Sequence, residues 1–447
     1  MERLFLGRLI RTRASVSRSA LRGVGATALS RSAHGAGTQW HEGIGLKAAR
    51  GFKTGLAENL KRGSSEPPAF AFAFDIDGVL LHEKEPIPGA AETLRLLDKN
   101  KIPYILLTNG GGKRESERVA ELNDKLGVSI TTESFVQSHT PFQELLEGPD
   151  SFRDKTVLVT GSHYEKCLDI MLNYGFRNVL TPADIFASKP SVFPFQPVKK
   201  TEQQGLISLP QPIYSQPFSA NDSSDVLSNH LKIDAMFVLN DPRDWALDIQ
   251  IFSDLLLSHQ GYMGTYSPKN GNPAEPNCGW QSDGQPRLYF SNADLVWSAA
   301  YHLPRFGQGA FQYAMVGLWD RITGGHELQR TCIGKPFGET YRFAERMLNA
   351  HWKRNHKIAG RGNTSGTELK SVYMIGDNPE SDIAGANGYR SENGTEWVSV
   401  LVKTGVWDEA RSGAKFTSKE LEPKRIEADV KSAVGWALER EGFKAGQ

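Results

Sequence analysis

Two aspartates, Asp75 and Asp77, stand two residues apart directly after an apolar run in AFAFDIDGVLL, from Ala71 to Leu81. On an extended chain residues i and i+2 point the same way, so the spacing predicts both carboxylates on one side at the end of a strand. Three more polar clusters close apolar runs: Thr108 and Asn109 after IPYILL, Gly334 and Lys335 after RTCI, and Gly376 and Asp377 after SVYMI, with Asp382 five residues further on. Any one of these is a weak signal, because acidic turns are common, but four in order at the same kind of location are a strong one. The chemistry that needs such a set is phosphoryl transfer. A carboxylate can attack phosphorus to form an aspartyl-phosphate, provided Mg²⁺ on hard oxygen ligands screens the repulsion. A lysine and a hydroxyl hold the equatorial oxygens, and a second acid protonates the departing alcohol and later activates water. Asp75, Asp77, Thr108, Lys335 and Asp377 supply these parts once each.

The elements that must position these groups are legible around them. Ala90, Leu94 and Leu97 recur at helical spacing after Pro88, and Val119, Leu122 and Leu126 mark a second helix that stops at Gly127. Strand, helix, strand, helix implies a parallel sheet with both faces covered, and such a sheet binds ligands beyond the carboxyl ends of its strands. The interval between Asn109 and Lys335 is far longer than a crossover. It contains its own α/β pattern: TVLVTG, an apolar helix around Leu168 to Leu172, NVL, and DAMFVLNDPRDWALDIQIFSDLLLS. The Ser-, Pro- and Gln-rich stretch at about 188–230 and the Gly-rich AGRGNTSG from Ala359 read as surface insertions.

Composition bounds the rest. The 447 residues are 39% hydrophobic, enough for two or three packed domains. Lys+Arg 52 against Asp+Glu 51 gives a net charge of +1, so no global basic field draws the chain to nucleic acid. No apolar run is long enough for a transmembrane segment. Cys167, Cys278 and Cys332 have no metal-ligand or disulfide spacing and read as reduced thiols. Residues 1–40 carry Arg3, Arg8, Arg11, Arg13, Arg18, Arg22 and Arg31 with Glu2 as the one acid, the composition of a mitochondrial transit peptide. A polar linker, 41–68, follows.

The four motifs, in this order, resemble those of the haloacid dehalogenase superfamily. DIDGV resembles motif I, which implies Asp75 as nucleophile and Asp77 as general acid/base. LLTN and GKP resemble motifs II and III, which implies Thr108 and Lys335, with Asn109 beside them, on the phosphate. GDNPESD resembles motif IV, which implies a Mg²⁺ site of Asp75, Asp77 through its backbone carbonyl, Asp377, and Asp382 through water. The long interval resembles subfamily IIA, whose C2-type cap is inserted between motifs II and III, and SHTPF, NDPRDW and PRFGQGAFQYA resemble a mitochondrial group within it. The expected fold is α/β: a Rossmann-like core in two parts, 69–138 and 329–447, around a cap at 139–328. The expected activity is hydrolysis of a small phosphorylated metabolite in the mitochondrial matrix, with homo-oligomerisation left open. A glycerol-phosphate derivative of glycerophospholipid metabolism as substrate, and a catalytically idle binding protein, are the alternatives. Asn292 and Asp294 in SNADLVW resemble a segment near the cap hinge, though a turn explains them as well. Asp241, Arg243 and Asp244 fit a capped helix start equally well as a specificity loop.

Overall fold

The computed structural model describes residues 68–82, 85–195, 206–218, 224–297, 301, 303, 305–358, 369–407 and 416–443. The transit-peptide segment, nearly all of the linker, residues 196–205 and 219–223 of the Ser-, Pro- and Gln-rich stretch and the whole of AGRGNTSG lie outside the described residues. Two parallel sheets organise the chain.

The first sheet begins with β1 (Phe70–Phe74) and continues through α1 (Ala90–Lys99), β2 (Tyr104–Leu107), α2 (Glu115–Leu126) and β3 (Phe135–Val136). The chain then leaves it for a second sheet. That sheet runs through β4 (Thr156–Thr160), α3 (Tyr164–Tyr174), β5 (Asn178–Leu180), α4 (Pro182–Ser188), β6 (Ala235–Val238), α5 (Trp245–Leu257), β7 (Arg287–Phe290), α6 (Gln308–Thr323) and β8 (Thr331–Cys332). It returns through α7 (Gly338–Ile358), β9 (Ser371–Gly376), β10 (Glu396–Val402), β11 (Arg425–Glu427) and α8 (Val430–Arg440). The orders are β11-β10-β9-β1-β2-β3 and β8-β7-β6-β4-β5, every pairing parallel. The architecture is the expected one: a Rossmann-like α/β core with an inserted α/β cap.

The period of two explains how the layers pack. In β1 the phenylalanines Phe70, Phe72 and Phe74 face α1 and α8, whose Ala90, Ala433 and Ala437 leave room for the rings. Ala71 and Ala73 face the other way, and over them lie the large Tyr341 and Trp352 of α7. Large against small on both faces fills the space at interior density. The second sheet repeats the scheme: Leu158, Met236, Val238 and Phe290 face α5 and α6, while Val157, Val159 and Phe237 face α3.

Two features depart from the sequence reading. Part of the 188–230 stretch is anchored: Ile213 joins the cap core and Tyr214 is buried next to it, and the chain pairs there, Leu231 N donating to Pro212 O and Tyr214 N to Met263 O. Apolar residues scattered without period still find a groove, which periodicity cannot register. Second, the strand leading to Lys335 belongs to the cap sheet, with Thr331 and Cys332 in register with Tyr289 and Phe290 of β7.

Candidate active site

Asp75 is the first residue after β1, and its N–H continues the ladder by donating to Ile375 O of β9 at 2.9 Å. Thr108 does the same after β2, donating to Val136 O at 3.0 Å. The sheet therefore fixes both backbones at its carboxyl edge. Asp377 follows β9, and Asp382 lies in the turn of helix after it, where Tyr341 Oη donates to its main-chain oxygen at 3.1 Å.

These side chains converge. Lys335 Nζ is 2.5 Å from Asp75 Oδ1 and 2.7 Å from Asp382 Oδ1, with the lysine 2% exposed. Carboxylate oxygens of Asp75, Asp377 and Asp382 all lie within 4.8 Å of one another. Asp377 Oδ2 accepts from Val406 N at 2.6 Å and is cradled by two glycines. A Cβ on Gly78, which has φ +87°, would stand 2.5 Å from that oxygen, and one on Gly405 would stand 1.9 Å away. Thr108 Oγ1 accepts from Gly110 N at 3.0 Å.

The electrostatics follow from this crowding. Burial pushes Asp75 well above the ordinary carboxylate range, opposed by Lys335 and reinforced by Asp382 and Asp377. Burial and then Asp382 push Asp377 up to about 7. Burial works against the charge on Lys335, but Asp382 and Asp75 outweigh it and hold the ammonium above its usual value. Ionised together, three buried carboxylates against one ammonium would leave an excess of two negative charges, which in a low dielectric demands compensation. Asp382 Oδ2 accepts from Asn378 N at 3.0 Å, whereas its buried Oδ1 has the lysine beside it as a charge but no donor aligned on it. An all-oxygen cluster with that charge fits a hard divalent cation.

Asp77 does not join the cluster. The strand ends at Phe74 and the chain turns at Gly78, whose N–H donates to Leu81 O at 2.7 Å, so the i, i+2 relation is broken past Asp75 and Asp77 is exposed. Asn109 is engaged by protein: its Oδ1 accepts from Lys335 N at 2.7 Å, and its Nδ2 donates to Lys335 O at 2.9 Å and lies 3.2 Å from each oxygen of Asp294. Burial pushes Asp294 up to about 6, opposed by Asn109 and Lys335. Asp244 caps α5, accepting from Leu247 N at 3.1 Å. Cys167 is buried and Cys278 and Cys332 partly so, all three as free thiols.

A second polar cluster escaped the sequence reading. Gly112 N donates to His139 Nε2 at 3.2 Å, His139 Nδ1 is 2.6 Å from Tyr174 Oη, and Tyr174 in turn bonds to Glu115. Burial lowers His139 to about 4 despite Glu115, so the ring is neutral and can accept from Gly112. This chain staples the glycine loop after Thr108 to the cap helix α3. His139, Tyr174 and Glu115 share no local spacing that would have marked them.

The sequence matches two families, one described as haloacid dehalogenase-like hydrolase over residues 72–177 and one as HAD-hydrolase-like over residues 332–433. These two intervals carry Asp75 and Thr108 on one side, Lys335 and Asp377 on the other. A mitochondrial hydrolase of Saccharomyces cerevisiae is 38% identical over 381 residues, covering 83% of this chain and 96% of its own. A cardiolipin synthase (CMP-forming)/mitochondrial hydrolase fusion protein of Schizosaccharomyces pombe is 36% identical over 370 residues, 83% of this chain and 53% of its own length. Among solved structures, a hypothetical protein of Pyrococcus horikoshii aligns with 82% of this chain and 99% of its own at 16% identity and a TM-score of 0.49. With Asp75, Thr108 and Asp377 at the carboxyl edge of the first sheet, Lys335 reaching them from the cap sheet, and a Saccharomyces cerevisiae relative 38% identical over 83% of this chain, the chain belongs to the haloacid dehalogenase-like hydrolases.

Proposed function

We propose that this hydrolase is a magnesium-dependent phosphatase that cleaves a small phosphate monoester through an aspartyl-phosphate, in mitochondria. The observation that carries the proposal is the buried Asp75 carboxylate held 2.5 Å from Lys335 Nζ, beside Asp377 and Asp382. In this reading an Asp75 oxygen attacks phosphorus, the ester P–O bond breaks, and the leaving oxygen takes a proton from Asp77. Asp77 then accepts a proton from water, which attacks the acyl phosphate, releases inorganic phosphate and restores the Asp75 carboxylate. Exposure of Asp77 suits this part, since it must reach both an alcohol and water. Lys335 Nζ and the Thr108 hydroxyl proton hold phosphate oxygens. Asp75, Asp377 and Asp382 would hold Mg²⁺, with Asp77 contributing its main-chain oxygen. The ion supplies charge neutralisation that lets one anion approach another. Asn109, whose amide is committed to Lys335 and Asp294, is assigned to positioning rather than to the phosphate.

The arginine-rich first forty residues and the name of the yeast relative support the mitochondrial location. A cap of about two hundred residues over the strand ends favours a small metabolite over a phosphoprotein or nucleic acid, and among the described residues no helix is long and apolar enough to cross a membrane. The fused cardiolipin synthase in the fission-yeast relative favours, as a second reading, a glycerol-phosphate derivative of glycerophospholipid metabolism. The test is phosphate release by purified protein with Mg²⁺ over a panel of sugar phosphates, glycerol phosphates, phosphoglycolate and phosphorylated cofactors. Turnover of one class identifies the substrate; no release from any member would favour the idle binding protein.

A further inference from the structure

Lys335 and Asp294 emerge from neighbouring strands of the cap sheet. Cys332 of β8 is in register with Phe290 of β7, and Ile333 N donates to Phe290 O at 2.8 Å. Three residues past Cys332 comes Lys335; four past Phe290 comes Asp294. Between these strand ends the packing is tight. Gly334 has φ +85°, and a Cβ there would stand 2.4 Å from Ser291 O and 3.0 Å from Asn109 Oδ1.

We propose that Asp294 is a positioning residue through which the cap sets the lysine of the active site: its carboxylate anchors the Asn109 amide, and that amide clamps the Lys335 main chain on both sides. Asn109 Oδ1 and Nδ2 meet Lys335 N and O at 2.7 and 2.9 Å. An amide can turn over end for end, and a carboxylate, which only accepts, favours the orientation with Nδ2 toward it. Asp294 is itself fixed, its N–H donating to Asn292 Oδ1 at 2.5 Å and its carbonyl accepting from Gly309 N at 2.9 Å. Asn292 Nδ2 donates to Asn109 O at 3.2 Å, so the cap holds this core residue by main chain and side chain together. Among the described residues Lys335 Nζ has Asp75 and Asp382 as its carboxylate partners within 4 Å, so a backbone drift of about 1 Å would move the ammonium out of hydrogen-bond reach. The cap is then part of the catalytic frame as well as its cover.

This inference deepens the phosphatase reading and rests on it. The experiment compares Asp294→Ala and Asp294→Asn with the parent, using p-nitrophenyl phosphate and Mg²⁺ for kcat and KM, and amide hydrogen exchange across residues 333–338. Asp294→Ala should lower kcat roughly 10- to 100-fold with KM changed by less than about 2-fold and speed exchange in that segment. Asp294→Asn, whose Oδ1 still accepts from Asn109 Nδ2, should recover both. Asparagine as impaired as alanine, or alanine with parental kcat and exchange, overturns the proposal. If the parent releases no phosphate, the phosphatase reading fails, and exchange in the two variants still decides whether Asp294 positions the lysine segment.

Discussion

Replacing Asp377 by asparagine should make the metal-free protein more stable while abolishing its chemistry. Asp377 is 3% exposed and crowded by Asp75 and Asp382. Its pKa is raised from 3.8 to about 7, by burial first and Asp382 second. Three pKa units at 1.36 kcal/mol each correspond to about 4 kcal/mol. The sign follows from proton binding: between pH 4 and 7 the folded state holds a proton that the unfolded state has lost, so stability falls as pH rises through that window and the full cost is present above 7. Asparagine stays neutral throughout and keeps an acceptor for Val406 N–H, which now bonds at 2.6 Å. In EDTA at pH 8, Asp377→Asn should therefore exceed the parent by up to about 4 kcal/mol, and at pH 5 by less than about 2 kcal/mol. Urea unfolding followed by tryptophan fluorescence at the two pH values measures this. Added Mg²⁺ should stabilise the parent much more than the variant, because the variant lacks a ligand. A variant less stable than the parent at pH 8 in EDTA, or a difference independent of pH, would refute the charge reasoning.

Asp75→Asn should remove turnover, and Asp77→Asn should lose less, roughly 10²- to 10⁴-fold, since only proton transfer fails; steady-state rates that rank the other way would exchange the two roles. Gly405→Ala places a methyl 1.9 Å from Asp377 Oδ2, so the Mg²⁺ concentration for half-maximal activity should rise at least tenfold, about 1.4 kcal/mol, and an unchanged metal titration would contradict the cradle. Chelation should abolish phosphate release and Mg²⁺ restore it, while Ca²⁺, larger and more loosely coordinated, should inhibit. Deleting residues 1–40 should leave an active protein in the cytosol, read by fractionation; retention in mitochondria would place the signal elsewhere.

Apolar period and strand-end polarity, both local, were enough to show β1, β2 and β9 of the first sheet, β4, β5 and β6 of the second, and the residues of the central cluster, whereas β3, β7, β10 and β11 went unread. FAFAF before Asp75, YILL before Thr108 and VYMI before Gly376 and Asp377 are buried on both faces, and a parallel sheet brings its strand ends to one edge whatever the loops do. Helix α1 and the Gly127 stop of α2 were visible for the same reason. Four things were decided by the tertiary structure. Asp77 left the cluster because the strand ended at Phe74, whereas the i, i+2 rule needs an extended chain through Asp77. The Asn109 side chain bonds the Lys335 backbone because a partner 185 residues away, Asp294, and a loop 226 residues away met it there. The strand before Lys335 joined the cap, since an apolar run carries no mark of which sheet will accept it. The His139, Tyr174 and Glu115 chain formed from residues whose only common property is that folding removed water from all three, and each then had to find its hydrogen bond in another. Sequence fixes what is periodic or adjacent along the chain; partners chosen by desolvation exist only once the sheets have closed on them.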